Sequence, residues 1–264
     1  MTSISNNILA IDAGNTRVKW GLFNATGRLT GHGACLNTEL AGLRFPAAEQ
    51  VVISNVAGNI IETQLKTLLA NHANTHWVAS QTEACGVKNS YPQPEKLGTD
   101  RWAALIAAWH IKQAPCVVVN AGTAVTIDAL ENATFNGGLI MPGIDLMQQS
   151  LYLGTAQLPI QNARKESTID IFATSTNDAI YAGTHYAIVG AITLMVQELQ
   201  KKTDKAPWIL MSGGNATTIH RQLIQHDIGN VTNQAIIVDN LVLQGLYLLS
   251  LAKVNIKKDN NYAK

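Results

Sequence analysis

Residues 11–20 read IDAGNTRVKW, and residues 119–128 read VNAGTAVTID. Each phrase runs through apolar residues to one polar side chain, Asp12 or Asn120, then through Ala-Gly and back into an apolar run. That pattern predicts a strand, a tight turn and a returning strand. Sliding the chain by 108 places sets residues 11–26 on 119–134 without a gap. Six of the sixteen positions are then identical: Ala13/Ala121, Gly14/Gly122, Leu22/Leu130, Asn24/Asn132, Ala25/Ala133 and Thr26/Thr134. This exceeds coincidence and points to duplication of one fold unit. The acid of the first copy is an amide in the second.

Outward from the first phrase, NNILAID, VKWGLF, RLTGHG and VVISNV predict strands. Ile60, Ile61, Leu65, Leu68 and Leu69 then recur at helical spacing. THWVAS returns as a strand, and residues 84–101 form a polar, proline-bearing loop. A helix is predicted over 99–112, with Trp102, Leu105, Ile106 and Trp109 as one apolar stripe. After Pro115, CVVVN and AVTIDAL predict strands, and TFNGGLIMPG turns into an apolar helix near Ile144. A long helix over 178–201 carries Ile188, Ile192, Met195 and Leu199 as its stripe. WILMSGGN, AIIVDN and LVLQGLYLLSLAK complete the set as strand, strand and helix. Strands in hairpin order followed by alternation with helices make a mixed α/β sheet, twice over. The expected division is 1–114 and 115–264.

With 264 residues, 47% hydrophobic and 14% charged, the chain can bury a core and is not a disordered one. A net charge of +1 gives no reason to expect nucleic acid or an anionic membrane as partner. Three well-separated cysteines without a CxxC suit free thiols in a reducing compartment. The start lacks a basic leader, and no uninterrupted apolar run of about 18 residues occurs. The expectation is a cytoplasmic protein.

A glycine at the tip of a hairpin exposes backbone N–H groups, which can hold a phosphate. Gly14, with the Thr16 hydroxyl and the Lys19 ammonium, makes such a set, and Gly122 with Thr123 repeats it. Two such hairpins, 12–19 and 120–126, facing each other would clamp a polyphosphate. Asp12 at a strand end would suit Mg²⁺, directly or through water. No GxxxxGK[ST] occurs, so this is not a P-loop. The SGGN turn at 212–215 would admit a nucleoside. The seven histidines have no metal-ligand spacing. Gly183, Gly190 and Ala191 on the long helix suit a close helix–helix face, either a dimer interface or internal packing. On sequence alone Asp100 also reads as a helix-terminal carboxylate, Arg101 as a surface ion pair and Tyr91 as a loop anchor.

In order and spacing, these motifs resemble those of the type III pantothenate kinases, of the acetate kinase/sugar kinase/Hsp70/actin superfamily. The matching segments are DAGNTRVKWG (12–21), YPQPEKLGTDR (91–101), NAGTAVTID (120–128), GGLIMPG (137–143) and STNDAIYAG (175–183). The resemblance implies two ribonuclease H-like halves and ATP-dependent phosphorylation of pantothenate, the first step of coenzyme A synthesis. It implies that Asp12, Ala13, Gly14, Asn15, Thr16, Arg17, Val18 and Lys19, with Thr123, hold ATP phosphates. Tyr91, Gly98, Thr99, Asp100 and Arg101 would hold pantothenate, with Asp100 as general base. Thr176 would reach substrate across a homodimer interface. The family usually has Asp at the position of Asn120, where it helps bind K⁺ or NH₄⁺. Asn keeps a carbonyl oxygen and loses the charge, so either cation binding is weakened or backbone carbonyls suffice. Placed at a helix start, Asp100 is expected to stay ionised near neutral pH. Two other readings are a non-catalytic accessory relative and a different small-molecule kinase on the same fold.

Overall fold

A computed structural model describes residues 7–72, 74–154, 170–225 and 234–259. Its strands are β1 (Ile8–Ala13), β2 (Arg17–Phe23), β3 (Leu29–Leu36), β4 (Gln50–Asn55), β5 (Thr75–Trp77), β6 (Glu83–Ala84), β7 (Val87–Asn89), β8 (Cys116–Ala121), β9 (Ala124–Glu131), β10 (Thr134–Pro142), β11 (Trp208–Ser212) and β12 (Ala235–Ile237). Its helices are α1 (Asn59–Leu68), α2 (Thr99–Lys112), α3 (Ile144–Gly154), α4 (Thr176–Thr203), α5 (Ala216–Gln225) and α6 (Leu241–Asp259). The chain forms two compact units. The first comprises Met1–Gln113, Ala133–Phe135 and Asn240–Lys264; the second comprises Ala114–Asn132 and Asn136–Asp239.

In the first unit the strand order is β3-β2-β1-β4-β5. β1, β2 and β3 form an antiparallel meander, and β4 and β5 run parallel to β1. Alternation along β1 and β4 sends Leu9, Ile11, Ala13, Val51 and Ile53 to one face, where Ile61, Leu65 and Leu69 of the α1 segment cover them. The opposite face carries Asp12, Lys19 and Ser54, and α2 and α6 pack on that side of β1 and β4.

The expected stripe on α2 proves too narrow. Every residue from Arg101 through Ala108 is buried, the alanines as well as Trp102, Leu105 and Ile106, while Trp109 is only half-buried. The reason lies on α6, where a Cβ on Gly245 would sit 1.8 Å from the Ala103 carbonyl oxygen. The two helix backbones touch, so α2 has no solvent face along this stretch.

In the second unit the order is β10-β9-β8-β11-β12. This is the order of the first unit, element for element. β8 and β9 are antiparallel, and β11 is parallel to β8 and to β12. α1 and α5 each connect the fourth strand of a set to the fifth, and α2 and α6 each follow the fifth. The fold is a duplicated mixed α/β unit. Val117, Val119, Val125, Ile127, Ile209 and Met211 line the sheet face on which Ile188, Ile192, Val196 and Leu199 of α4 and Ile219 and Leu223 of α5 pack. α4 is long and apolar enough to cross a membrane, which inspection for unbroken apolar runs missed. Its stripe is spent on this core, as a core helix's is.

Two elements depart from expectation. The segment read only as leading into a helix, TFNGG, opens the nine-residue strand β10. Consecutive glycines and an exposed pattern hid it. Its first residues, Thr134 and Phe135, pair in parallel with Lys88 and Asn89 of β7 in the first unit. β7 itself forms a short hairpin with β6 inside what read as plain loop. Two- and three-residue strands show no periodicity to find.

Candidate active site

The first hairpin tip is a tight turn in which Gly14 N–H donates to the Arg17 carbonyl at 3.0 Å. Asn37 holds it from the side: its Nδ2 donates to the carbonyls of Gly14 (3.0 Å) and Asn15 (2.9 Å), and its own N–H to that of Thr16 (3.0 Å). Asn15, Thr16 and Arg17 are exposed, while Ala13 and Val18 anchor the hairpin in the core. An exposed loop on buried stems suits a ligand that arrives from solvent.

Asp12, on the last turn of the pleat, lies level with Lys19 on β2 and Ser54 on β4. It is buried, and its Oδ1 has no hydrogen-bond partner. Burial pushes its carboxyl up to about 7, the charge of Asp100 adds to the rise, and Lys19 opposes it. An orphaned carboxylate oxygen beside a second carboxylate is a setting that a hard divalent cation fits.

Asp100 sits in the first turn of α2, where the Arg101 N–H donates to its Oδ1 at 2.8 Å. A Cβ on Gly98 would lie 2.7 Å from that same Oδ1, so the carboxylate folds back into room that only glycine leaves. The expected effect of the helix terminus on Asp100 is outweighed. Burial raises its pKa, and the hydrogen bond from Arg101 and the Arg101 charge only partly offset this. The outcome is a stronger base than a helix-capping carboxylate. Thr99, just before it, joins Ser54 through a hydroxyl–hydroxyl hydrogen bond of 2.8 Å.

Arg101 is not a surface ion-pair residue. It is buried, its Nη1 donates to the Tyr91 hydroxyl at 3.2 Å, and its guanidinium lies 5.9 Å from the Tyr91 ring and 5.6 Å from that of Phe135. Tyr91 and Phe135 themselves pack at 5.4 Å between centroids. Asn89 shapes the loop: its Oδ1 accepts from the Tyr91 N–H at 3.0 Å and its Nδ2 donates to the Pro94 carbonyl at 3.0 Å. The sequence reading missed Ser54, Asn89 and Phe135. Ser54 looked like a small strand residue, and nothing in the sequence ties Phe135 to Tyr91.

In the second unit Asn120 lies level with Thr126 on β9 and Ser212 on β11. The first hairpin closes beyond the Ala13–Val18 pair, the second beyond Ala121–Val125, so the second turn is one residue shorter. The gapless match therefore slips after the turn. By strand pairing the counterpart of Lys19 is Thr126, and the charged pair Asp12–Lys19 becomes the neutral pair Asn120–Thr126. Thr123 is exposed at the tip, where its carbonyl accepts from the Gly143 N–H at 2.8 Å. The SGGN turn is packed against this hairpin, with the Asn215 N–H donating to the Ala121 carbonyl at 3.1 Å. Thr176 is exposed in the first turn of α4, just after Ser175, whose Oγ caps the helix by accepting from the Asp178 N–H at 3.1 Å. Among the described residues no cluster of three His, Cys, Asp or Glu could hold a metal by protein ligands alone.

Solved structures share the fold. A Campylobacter jejuni protein described as a Baf family transcriptional activator superposes with a TM-score of 0.58 at 24% identity, over 96% of this chain and 99% of that one. The ethanolamine utilization protein EutJ of Carboxydothermus hydrogenoformans gives 0.51 at 12% identity, over 92% and 89%. Closer in sequence are proteins named type III pantothenate kinase. That of Nitrosospira multiformis is 41% identical over 92% of this chain and 90% of its own length. That of Methylobacillus flagellatus is 39% identical over 92% and 97%. The family model for type III pantothenate kinase matches residues 8–198, a span that holds both hairpins, the Tyr91 loop and the start of α2. With its motifs in that order and its likeness running nearly end to end, the chain belongs to the type III pantothenate kinase family.

Proposed function

We infer that the protein phosphorylates pantothenate with ATP, giving 4′-phosphopantothenate at the first step of coenzyme A biosynthesis. The observation that carries this is the meeting of two motifs distant in sequence: Ser54, level with Asp12, shares a hydrogen bond of 2.8 Å with Thr99, next to Asp100 and the Arg101–Tyr91 pair. One acid belongs to the phosphate motif and the other to the acceptor motif.

Phosphoryl transfer needs mainly positioning and charge neutralisation. Residues 12–19, with Asn15, Thr16 and Arg17 exposed at the tip, bind the ATP phosphates, and Thr123 contributes a further hydroxyl. Asp12 holds Mg²⁺, directly or through water, and that ion supplies charge neutralisation at the phosphates when bound. Tyr91, Gly98, Thr99 and Arg101 bind pantothenate. The Arg101 guanidinium, fixed by two rings, is a partner for the pantothenate carboxylate. Asp100 takes the proton from the acceptor hydroxyl as that oxygen attacks the γ-phosphorus, the bond to the bridging oxygen breaks and ADP leaves. Its raised pKa makes it a stronger base toward that proton than an ordinary carboxylate.

Asn120 offers an uncharged oxygen at the place of the monovalent cation. A homodimer, with Thr176 reaching the partner's substrate, is part of the same proposal. Its support is the exposed small-residue stripe of Gly183, Ala187 and Gly190 on α4, with exposed Leu194 beyond it. A cytoplasmic location accords with the free thiols of Cys35, Cys85 and Cys116. The test is an assay with ATP, Mg²⁺ and pantothenate, with and without K⁺ or NH₄⁺. Asp100→Asn is expected to lower kcat by ~10²–10⁴-fold while ATP still binds. Wild-type turnover in that variant removes Asp100 from the chemistry.

A further inference from the structure

We propose that Ser54 and Thr99 form a latch that positions the base, making Ser54 a positioning residue of the reaction. This rests on the reading of Asp100 as general base.

Ser54 is fully buried at the end of β4, whose preceding residues Val51, Val52 and Ile53 are all apolar and buried. A buried hydroxyl is unfavourable unless it is hydrogen-bonded. Packing alone would be met by Ala or Val there. The Ser54 hydroxyl instead meets the Thr99 hydroxyl at 2.8 Å. Its two ends sit at informative places. Ser54 is level with Asp12 in the parallel β1–β4 pairing, on the same sheet face. Thr99 is the first residue of α2, one before Asp100.

The stance of the Asp100 carboxylate is set by the backbone of residues 98–101. Its Oδ1 is held by the Arg101 N–H and packs over Gly98. That turn has no side-chain cap from the preceding residue, because the N-cap position is Gly98. The hydroxyl pair ties the first turn of α2 to the strand beside Asp12. It therefore fixes the separation between the acid of the phosphate motif and the acid of the acceptor motif. Misplacing a reacting group by about 1 Å can cost ~10²-fold in rate.

The experiment compares Ser54→Ala, Thr99→Val, their double variant and Thr99→Ser, with Asp100→Asn as control and thermal unfolding recorded for each. Ser54→Ala and Thr99→Val are each expected to lower kcat by ~10-fold, with the KM for ATP within about twofold of wild type. The double variant is expected to be no slower than the worse single one, because one interaction is removed in all three. Thr99→Ser, which keeps the hydroxyl, is expected to retain most of kcat. Wild-type kcat in Ser54→Ala, or losses that multiply in the double variant, overturns the latch. If Ser54→Ala does not fold, Ser54→Cys, nearly isosteric and a weaker hydrogen-bond partner, takes its place in the cycle with Thr99→Val, with the same outcomes. An inactive Asp100→Asn beside a normal Ser54→Ala rejects the latch alone. A fully active Asp100→Asn rejects the base assignment itself.

Discussion

Asp12 is held where its ionised form is disfavoured. Its folded pKa, about 7, stands above the ordinary 3.8, so the folded state binds its proton more tightly than the unfolded state does. The stabilising contribution is complete below the ordinary carboxylate range and is lost as pH rises through 7. Without a cation, Asp12→Asn is therefore expected to raise the melting temperature by several degrees at pH 8. At about 1.4 kcal/mol per pH unit, the underlying gain is a few kcal/mol. The difference is expected to vanish near pH 3, and Mg²⁺-dependent turnover is expected to be lost in the same variant. A scan of melting temperature against pH checks the first part. At this scale the acids were legible in the sequence because Asp-x-Gly and Gly-x-Asp-Arg are local patterns. Ser54 and Phe135 were not, because their roles exist only through partners 45 residues away and 44 residues away. The neutral Asn120 is clearer in the structure, since its cross-strand neighbour is Thr126 where the first copy pairs Asp12 with Lys19. Acid and base are both absent from that pair, so the exchange leaves no unbalanced charge.

The α2 and α6 pair shows what periodicity could and could not give. The bounds expected for α2 were met at both ends, because Gly98 and the polar Gln113 punctuate an unbroken helical pattern. The contact of its alanines with α6 was invisible, since Ala103 and Ala107 fit a surface face as readily as a close crossing. Gly245→Ala tests that crossing directly. The added Cβ meets the Ala103 carbonyl oxygen and carbon at 1.8 and 2.4 Å, both backbone atoms that cannot swing aside. The helices must separate, at a cost of about 1–3 kcal/mol. Thermal unfolding is expected to show a drop of several degrees, and because α2 begins at Thr99, kcat is expected to fall with it. Strand β10 failed as a sequence prediction for a different reason. It is an exposed strand with paired glycines, so neither alternation nor β-propensity marked it.

Across the whole molecule the duplication was readable from the paired glycine turns, and the shared strand order bears it out, although the four identities beyond those turns fall one residue out of register in the strand pairing. The copies have diverged in what they bury. In the second, α4 carries His185 inside, with Nδ1 at 2.7 Å from the Tyr181 carbonyl and its ring 4.2 Å from that of Tyr181. Burial lowers its pKa from 6.5, and the Tyr181 hydrogen bond and the Asp145 charge restore only part. The unfolded chain thus takes up this proton at higher pH than the folded one. Stability is present above pH 6.5 and is lost as pH falls below it. His185→Gln is expected to flatten that acid limb of the melting curve while leaving pH 8 nearly unchanged.

The first unit is closed by residues from the far end of the chain, Asn240 onward, and by three residues borrowed from the middle. During synthesis, α2 must therefore wait for its covering helix until the second unit has been made. Its alanine-rich flank stays open to solvent and to chaperones until then. A nonsense codon just upstream of Leu241 would remove α6 and leave the first unit unfinished, however intact the second one was.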